Sequence, residues 1–148
     1  MPLASVRDVL ASKDQSVVHS VGPATRVLDA IQKMNQHKIG AVLVMHDGQV
    51  VGIFTERDVL RRVIGEQRDA ATTAVAEVMT EDVICVPPET DLDEVSNIMK
   101  QRKVRHVPVC GDSGKVHGMV SIGDVNAYHA SNQEAHIHFL SEYIYGRV

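Results

Sequence analysis

The chain has 148 residues, of which 44% are hydrophobic and 23% are charged, and its net charge is −4. These values are typical of one soluble globular domain. The weak acidic balance and the 3% of aromatic residues argue against a nucleic-acid-binding protein, because such proteins usually present a basic surface and aromatic side chains that stack on bases.

The expected compartment follows from what the sequence contains. It has no apolar run near the ~18 residues of a membrane-spanning helix, and its N-terminus lacks the basic start and long apolar stretch of a signal peptide. Cys85 and Cys110 are isolated along the chain, whereas small secreted domains carry more cysteines in a disulfide framework. We therefore expect a cytoplasmic protein with reduced thiols and no membrane segment.

In chain order, the first half predicts a short helix, a strand, a helix, a hairpin of two strands and a second helix. Gly22-Pro23 is typical of a turn, Thr25 is a candidate N-cap, and Gly65 is a candidate helix end. Apolar spacing predicts the elements between them. The predicted elements span residues 6–10, 16–21, 27–34, 41–45, 50–54 and 55–64.

The second half predicts the same order after a linker at residues 66–73. Pro87-Pro88 is the turn after the first strand, and Ser121 begins the last helix. The predicted elements span residues 75–79, 83–86, 90–103, 106–110 and 115–120, followed by that helix.

The two halves are copies of one another. When the chain is shifted by 65 residues, or by 66 after Ser113, fifteen of 42 aligned positions are identical between Val18 and Val59. Two copies of this length are too few for a stacked solenoid. We therefore expect an α/β (α+β) fold of two pseudo-symmetric units that bury their helix faces against each other. The expected boundaries are residues 3–65, the linker 66–73, residues 74–130 and a helical tail at 131–148.

Each copy carries the string Gly-φ-φ-[Ser/Thr]-x-x-Asp, in which φ is apolar: GIFTERD begins at Gly52 and GMVSIGD at Gly118. Together with KIGAV from Lys38, KVRHVPV from Lys103 and VMT from Val78, these strings resemble the tandem CBS-domain pair, often called a Bateman module. The resemblance covers residues 3–128. The chain shows no attached catalytic or transport domain, and in this it resembles the small stand-alone bacterial proteins of that family.

The resemblance implies a regulatory module that binds an adenine nucleotide (AMP, ADP, ATP or NAD) in two clefts between the copies. It also implies a homodimer that signals to an unknown effector protein. The residues implied for the first cleft are Thr55, Arg57, Asp58, Val83, Ile84, Cys85, Val104, Arg105 and His106. The residues implied for the second cleft are Ser121, Asp124, Val18, His19, Ile39, Gly40 and Ala41.

The chemistry of the repeated string is compatible with this role. An Asp carboxylate can accept hydrogen bonds from both ribose hydroxyls, and a helix N-terminus favours phosphate. The same spacing is a helix capping box, in which Asp58 accepts from the backbone N–H of Thr55, and the two roles can coexist. Ile122 and Gly123 replace the Glu-Arg pair of the first string, so we expect the two clefts to prefer ligands of different charge.

Two other functions stay open: an adaptor for nucleic acid or protein with idle clefts, and a nucleotide-metabolising enzyme. The sequence contains no Walker loop, paired nucleophile or clustered cysteines, so we assign no catalytic residue and no metal. Two basic groups are expected to be solvated helix faces, with phosphate binding open for the second. The groups are Arg61, Arg62 and Arg68, and Lys100, Arg102 and Lys103.

The tail carries most of the aromatic residues and predicts an amphipathic helix. Phe139, Leu140, Tyr143 and Ile144 fall on one face of such a helix. This face is expected to pack either on its own chain or at a dimer interface, where aromatic residues are enriched.

Overall fold

The computed structural model describes residues 4–13 and 18–132. Five α-helices and five strands occur in this part of the chain, in the predicted mixed order. The helices are α1 (Val6–Ser12), α2 (Val27–His37), α3 (Glu56–Asp58), α4 (Leu92–Arg102) and α5 (Ile122–Asn132), and α3 continues as a π-helical segment, Val59–Ile64. The strands are β1 (Ser20–Val21), β2 (Ala41–His46), β3 (Gln49–Thr55), β4 (His106–Cys110) and β5 (Val116–Ser121). A short 3₁₀ helix, Val75–Glu77, precedes the second copy.

The two copies repeat one another in structural detail. Each contains an antiparallel hairpin, β2–β3 or β4–β5, and each hairpin has a β-bulge at the equivalent step, Val44/Met45 or Val109/Cys110. Lys38 and Lys103 both end their helices in the left-handed conformation, with φ of 55° and 56°. The duplication seen in the sequence therefore specifies two copies of one fold, and the mixed α/β class is confirmed.

The first strand of each copy differs from its prediction. In the first copy only Ser20–Val21 forms a strand, parallel to β2, and residues 14–17 lie outside the described part. In the second copy, residues 83–86 do not form a strand, and only Val86 bridges to Val109. A longer parallel ladder would need an N–H donor from Pro108, which proline lacks.

The start of α2 also differs from its prediction. Its N-cap is Arg26, not Thr25, and Arg26 forms a salt bridge with Asp29 at 2.9 Å. The Thr25 hydroxyl instead accepts a hydrogen bond from the N–H of Gly22 at 3.1 Å. Thr25 therefore closes the preceding turn, and the N-cap lies one residue later than predicted, while the helix begins at Val27 as predicted.

The short helix before each copy packs on the other copy. Val6 and Val9 of α1 belong to the core of the second copy, with Leu92 and Val107, whereas Val75 of the 3₁₀ helix belongs to the core of the first copy. Equivalent backbone hydrogen bonds hold the two crossings: Val6 N to Thr90 O and Val75 N to Thr25 O, both 2.8 Å. The copies are thereby tied into one body.

A third apolar cluster joins the two sheets. It contains the buried Ala41, Leu43 and Ile53 from the first copy, and Val83, Val116 and Met119 from the second pack against it. Two backbone hydrogen bonds between Ile53 and Thr80, both 2.9 Å, add to this contact. Ala41 and Met119 of this cluster line one cavity between the copies, and Ile53 lines another. In the described ranges, no helix has the length and apolar character needed to span a bilayer.

Candidate functional site

The first repeated string forms a complete capping box at the start of α3. The N–H of Asp58 donates to the Thr55 hydroxyl at 3.2 Å, and the N–H of Thr55 donates to Asp58 Oδ2 at 3.0 Å. Strand β3 ends at this threonine, so the sheet fixes where the helix begins. The capping role expected from the spacing is therefore present.

Asp58 is buried, with 5% of its surface exposed, and most of its acceptor capacity is used within the protein. Oδ2 accepts from the N–H and hydroxyl of Thr55, while Oδ1 accepts from the hydroxyl of Thr80 at 3.1 Å. Arg62 Nε lies 3.8 Å from Oδ1. A carboxylate has about four acceptor positions, and three of those on Asp58 are occupied. Roughly one remains for a ligand donor, and a second becomes available if the Thr80 hydroxyl rotates away.

The second string builds a related but more open site. The N–H of Ser121 donates to Asp124 Oδ2 at 2.9 Å, and the N–H of Asp124 donates to the Ser121 hydroxyl at 3.0 Å. Lys13 Nζ also donates to Oδ2 at 3.0 Å. Among the residues that the structure describes, Oδ1 of Asp124 has no partner within hydrogen-bond distance, so this carboxylate has more capacity for a ligand hydroxyl than Asp58 has.

The first cleft is a cavity of about 270 Å³ between the two copies. Six of the nine residues implied for it lie on its wall, and Val83 and Ile84 line an adjoining cavity of about 160 Å³ that shares Thr80, Val104 and His106 with it. The six are Thr55, Arg57, Asp58, Val104, Arg105 and His106. Cys85 lines neither cavity and instead lies beside Cys110.

Cationic side chains dominate the wall of the first cleft. Six cations line it, against the two carboxylates Glu56 and Asp58. The cations are Arg57, Arg61, Arg62, Arg102, Lys103 and Arg105. Four of them come from the basic groups that the sequence suggested were solvated helix faces. Sequence reasoning missed their convergence because it depends on how the two copies pack.

The second cleft is a cavity of about 310 Å³. All seven residues implied for it, Ser121, Asp124, Val18, His19, Ile39, Gly40 and Ala41, lie on its wall. The structure adds Leu10 and Lys13 from the segment of α1, which no sequence pattern connected with this cleft. These two residues reach it because α1 packs on the second copy.

His106 lies on the wall of both clefts, as does Gly40. Burial lowers the pKa of His106, and the charges of Lys13 and Arg105 lower it further, while the carboxylates of Asp124 and Glu56 oppose this shift. The imidazole is therefore held mainly neutral near neutral pH. The His106 ring thus forms part of the wall of both cavities and lies near charged groups of each cleft.

Two other histidines that line the second cleft stack on one another. The rings of His19 and His37 lie 4.0 Å apart between centroids. Burial, the His37 ring and the Lys33 ammonium lower the pKa of His19. Within the described part of the chain, no three histidine, cysteine or acidic side chains converge in a way that could hold a metal ion.

The two cysteines, isolated in the sequence, come together in the fold. Cys85 is exposed and Cys110 is half-buried. Burial raises the pKa of the Cys110 thiol to about 12, and its interaction with Cys85 contributes to the shift. Both cysteines are free thiols.

Comparison with known protein families agrees with the duplicated fold. The family model of the CBS domain matches the chain twice, over residues 6–65 and 75–130. These matches cover most of the chain and follow the two structural copies. The protein belongs to the CBS-domain family and carries a tandem pair of CBS domains.

Individual relatives extend this result. The chain is 37% identical over 150 residues to the mitochondrial CBS domain-containing protein CBSX3 of Arabidopsis thaliana, a match that covers 96% of this chain and 72% of the relative. Among solved structures, a protein with CBS domains from Burkholderia ambifaria is similar, with a TM-score of 0.84 and 36% identity, over 88% of this chain and 96% of that one.

A more distant structure has the same fold with ligands present. The CBS domain pair of protein MJ0100, in complex with 5′-methylthioadenosine and S-adenosylmethionine, matches with a TM-score of 0.75 and 22% identity. The match covers 85% of this chain and 99% of that one. At this identity the likeness concerns the fold.

Proposed function

We propose that the protein is a regulatory sensor that binds adenine nucleotides, AMP, ADP, ATP or NAD, in the two clefts between its CBS domains. The observation that carries the proposal is the pair of repeat-related carboxylates, Asp58 and Asp124, each held by a capping box on the wall of a cavity between the copies. The complex of the MJ0100 domain pair with two adenosine ligands supports it, since that protein shares the fold.

The residues of each cleft suit the three parts of a nucleotide. Apolar side chains such as Val104, or Val18 and Ile39 in the second cleft, can pack against a flat base. Carboxylate oxygens accept ribose hydroxyls, and arginine forks bind phosphate. The further implied contacts of the first cleft, from Arg57, Arg105 and His106, stay part of this proposal.

We propose that binding transmits a signal through a change in the relative position of the two copies. Both clefts are lined by residues of both copies, so a ligand contacts each copy at once. A ligand shifts a conformational equilibrium only by its differential affinity for the two states. The receiver of the signal is an effector protein that the chain itself does not identify.

We further propose that the protein resides in a reducing compartment such as the cytoplasm. We also propose that it forms a homodimer. Leu60 and Ile64, four residues apart on the π-helical segment, are 66% and 65% exposed, and Ile122 at the start of α5 is 44% exposed. Large apolar side chains grouped at helix positions favour a protein interface. Light scattering of the Leu60→Glu variant should give a monomer, with Gln101→Glu as the control at another exposed helix position. The alternative dimer, through the tail at 131–148, concerns residues that are almost all outside the described part.

Thermal unfolding with AMP, ATP, NAD and S-adenosylmethionine in parallel, and GTP as control, tests the main proposal. A ligand at ~100 times its dissociation constant stabilises the folded state by ~2.7 kcal/mol, which raises the melting temperature by about 5–10 °C for this size. Asp124→Asn should reduce the shift from the second cleft, with the exposed Asp112→Asn as control. Equal curves for every nucleotide would contradict the proposal and favour an adaptor.

A further inference from the structure

We propose that the first cleft selects nucleotides with two or three phosphate groups over monophosphates, through the unpaired cations Arg61, Lys103 and Arg105. The proposal rests on the proposed function, since it names the ligand class of one of the two clefts. It concerns the charge of the ligand and is independent of which base the ligand carries.

The charge balance of the cleft is opposite to that of the whole protein. The chain has a net charge of −4, yet six cationic side chains and two carboxylates line the first cleft. This gives the wall a balance of plus four. A concave wall of one charge sign focuses the electrostatic field and raises the local concentration of ligands with the opposite sign.

Three of the six cations already have partners. Arg57 donates to the carbonyl oxygen of Lys103 at 2.7 Å, and Arg62 donates to that of Met79 at 2.7 Å. Arg102 donates to Asp82 Oδ2 at 3.0 Å. The arginine–carbonyl contact leaves the charge of Arg57 uncompensated, whereas Arg62 also pairs with Asp58 Oδ1 at 3.8 Å.

The other three cations have no such partner. In residues 4–13 and 18–132, no side chain or carbonyl oxygen accepts a hydrogen bond from the side chains of Arg61, Lys103 or Arg105, and no carboxylate lies within 4.0 Å of them. All three are exposed. They line one cavity, Arg61 from the π-helical segment and Lys103 and Arg105 from the turn between α4 and β4. Like charges gathered on one cavity wall repel one another, and an anion bound between them reduces that repulsion.

The excess of positive charge on the wall of the first cleft favours a ligand with more than one phosphate group. A phosphate monoester carries about −1.5 to −2 charges at neutral pH, which leaves part of the positive wall uncompensated. Each added phosphate brings further charge and further acceptor oxygens, and arginine binds phosphate oxygens through two parallel N–H donors. A cavity between the copies also favours a compact small molecule over a nucleic-acid strand, which would need an open basic face.

The second cleft provides the internal comparison. Its Lys13 is already paired with Asp124 at 3.0 Å, and its remaining permanent cation is Lys38. The wall therefore carries little net charge. A preference for polyphosphates in binding experiments is accordingly assigned to the first cleft.

Isothermal titration of the full chain with AMP, ADP and ATP, in EDTA and at low salt, tests the proposal. We expect ATP to bind at least ~10-fold more tightly than AMP, and we expect the ratio to fall with added KCl, because salt screens exposed charges. Arg61→Gln and Arg105→Gln should each weaken ATP binding about 2- to 5-fold, in line with exposed ion pairs, with less effect on AMP. Lys115→Gln removes one exposed charge outside both clefts and serves as the matched control.

The outcomes separate this proposal from the proposed function. Equal affinity for AMP and ATP, or an ATP preference that survives both arginine substitutions, would overturn the selection of polyphosphates while leaving adenylate binding in place. Tight binding of GTP and of inorganic triphosphate, equal to that of ATP, would support the polyphosphate cleft and contradict adenine recognition. Absence of binding by all three adenylates would overturn both.

Discussion

Lys13 Nζ lies 3.0 Å from Asp124 Oδ2, so the residue that follows α1 holds the carboxylate at the start of α5, 111 positions along the chain. The same ammonium donates to the carbonyl oxygen of Met119 at 3.0 Å. Burial raises the pKa of Asp124, but the N–H of Ser121 and the Lys13 ammonium together outweigh it, so the pKa lies below its ordinary value. The pair therefore links the N-terminal helix to the second cleft.

Removal of this ammonium should weaken the protein in a pH-dependent way. Because the folded pKa of Asp124 is depressed, its stabilising contribution is present above the unfolded pKa near ~3.9 and is lost as the pH falls through the folded pKa. We expect Lys13→Met to lower the melting temperature at pH 7, with a smaller difference from the parent below about pH 3. Arg7→Met, which breaks the exposed pair with Glu89, is the control and should lower the melting temperature only slightly. A difference that is constant with pH would contradict the ionic role of Lys13.

His106 should make the ligand-free protein sensitive to mild acid. Burial lowers its folded pKa below the unfolded value, so the unfolded chain binds the proton first as the pH falls below ~6.5. Stability is therefore full above this pH and declines as the pH falls toward the folded pKa. We expect His106→Gln to show a smaller loss of melting temperature between pH 7.5 and 5.5 than the parent. His117→Gln, at an exposed position, is the control and should behave like the parent. If His106→Gln loses as much melting temperature as the parent over this pH range, the acid sensitivity comes from another group, first of all His19, whose pKa is also lowered.

The two repeat-related carboxylates should differ in their contribution to stability. Asp58 is buried and holds both the capping box and the Thr80 hydroxyl, whereas Asp124 is more exposed and its Oδ1 has no partner among the described residues. Loss of a cap costs about 0.5–2 kcal/mol, and loss of the hydrogen bond from the half-buried Thr80 hydroxyl costs about 0.5–1.5 kcal/mol. We expect Asp58→Ala to lower the free energy of unfolding by about 1–3 kcal/mol, measured in urea, and Asp124→Ala by clearly less. Equal losses would indicate that Thr80 finds another acceptor.

Local features of the fold could be predicted from the sequence, while features that depend on packing could not. The capping box at Thr55 and Asp58 was predicted because its residues lie three positions apart and need no partner from elsewhere. The missing strand at residues 83–86 was predictable in principle from Pro108. In the first copy the N–H of Leu43 donates to the carbonyl oxygen of His19, and Pro108, at the position equivalent to Leu43, lacks that N–H.

The cleft residues that are hardest to predict from the sequence are those that a distant part of the chain contributes. Lys13 reaches Asp124 only because α1 packs on the second copy, and nothing in its local sequence indicates this crossing. The cations Arg61 and Lys103 each lie in a basic group that is typical of a solvated helix face. Only the junction of the two copies brings them to one cavity. The duplication thus predicts the architecture and both carboxylates, whereas the charge of each cleft comes from the packing.

The two thiols should differ sharply in reactivity. Burial and the neighbouring Cys85 raise the pKa of Cys110 to about 12, and the thiolate is the form that reacts. Cys85 is exposed, so alkylation with iodoacetamide at pH 8 should modify Cys85 rapidly and Cys110 slowly. Mass spectrometry of the native protein should give a single adduct on Cys85 at early times. Cys85→Ser should remove that rapid phase, and Cys110→Ser should retain it. Two adducts that form at equal rates would show that Cys110 is neither shielded nor held in its protonated form.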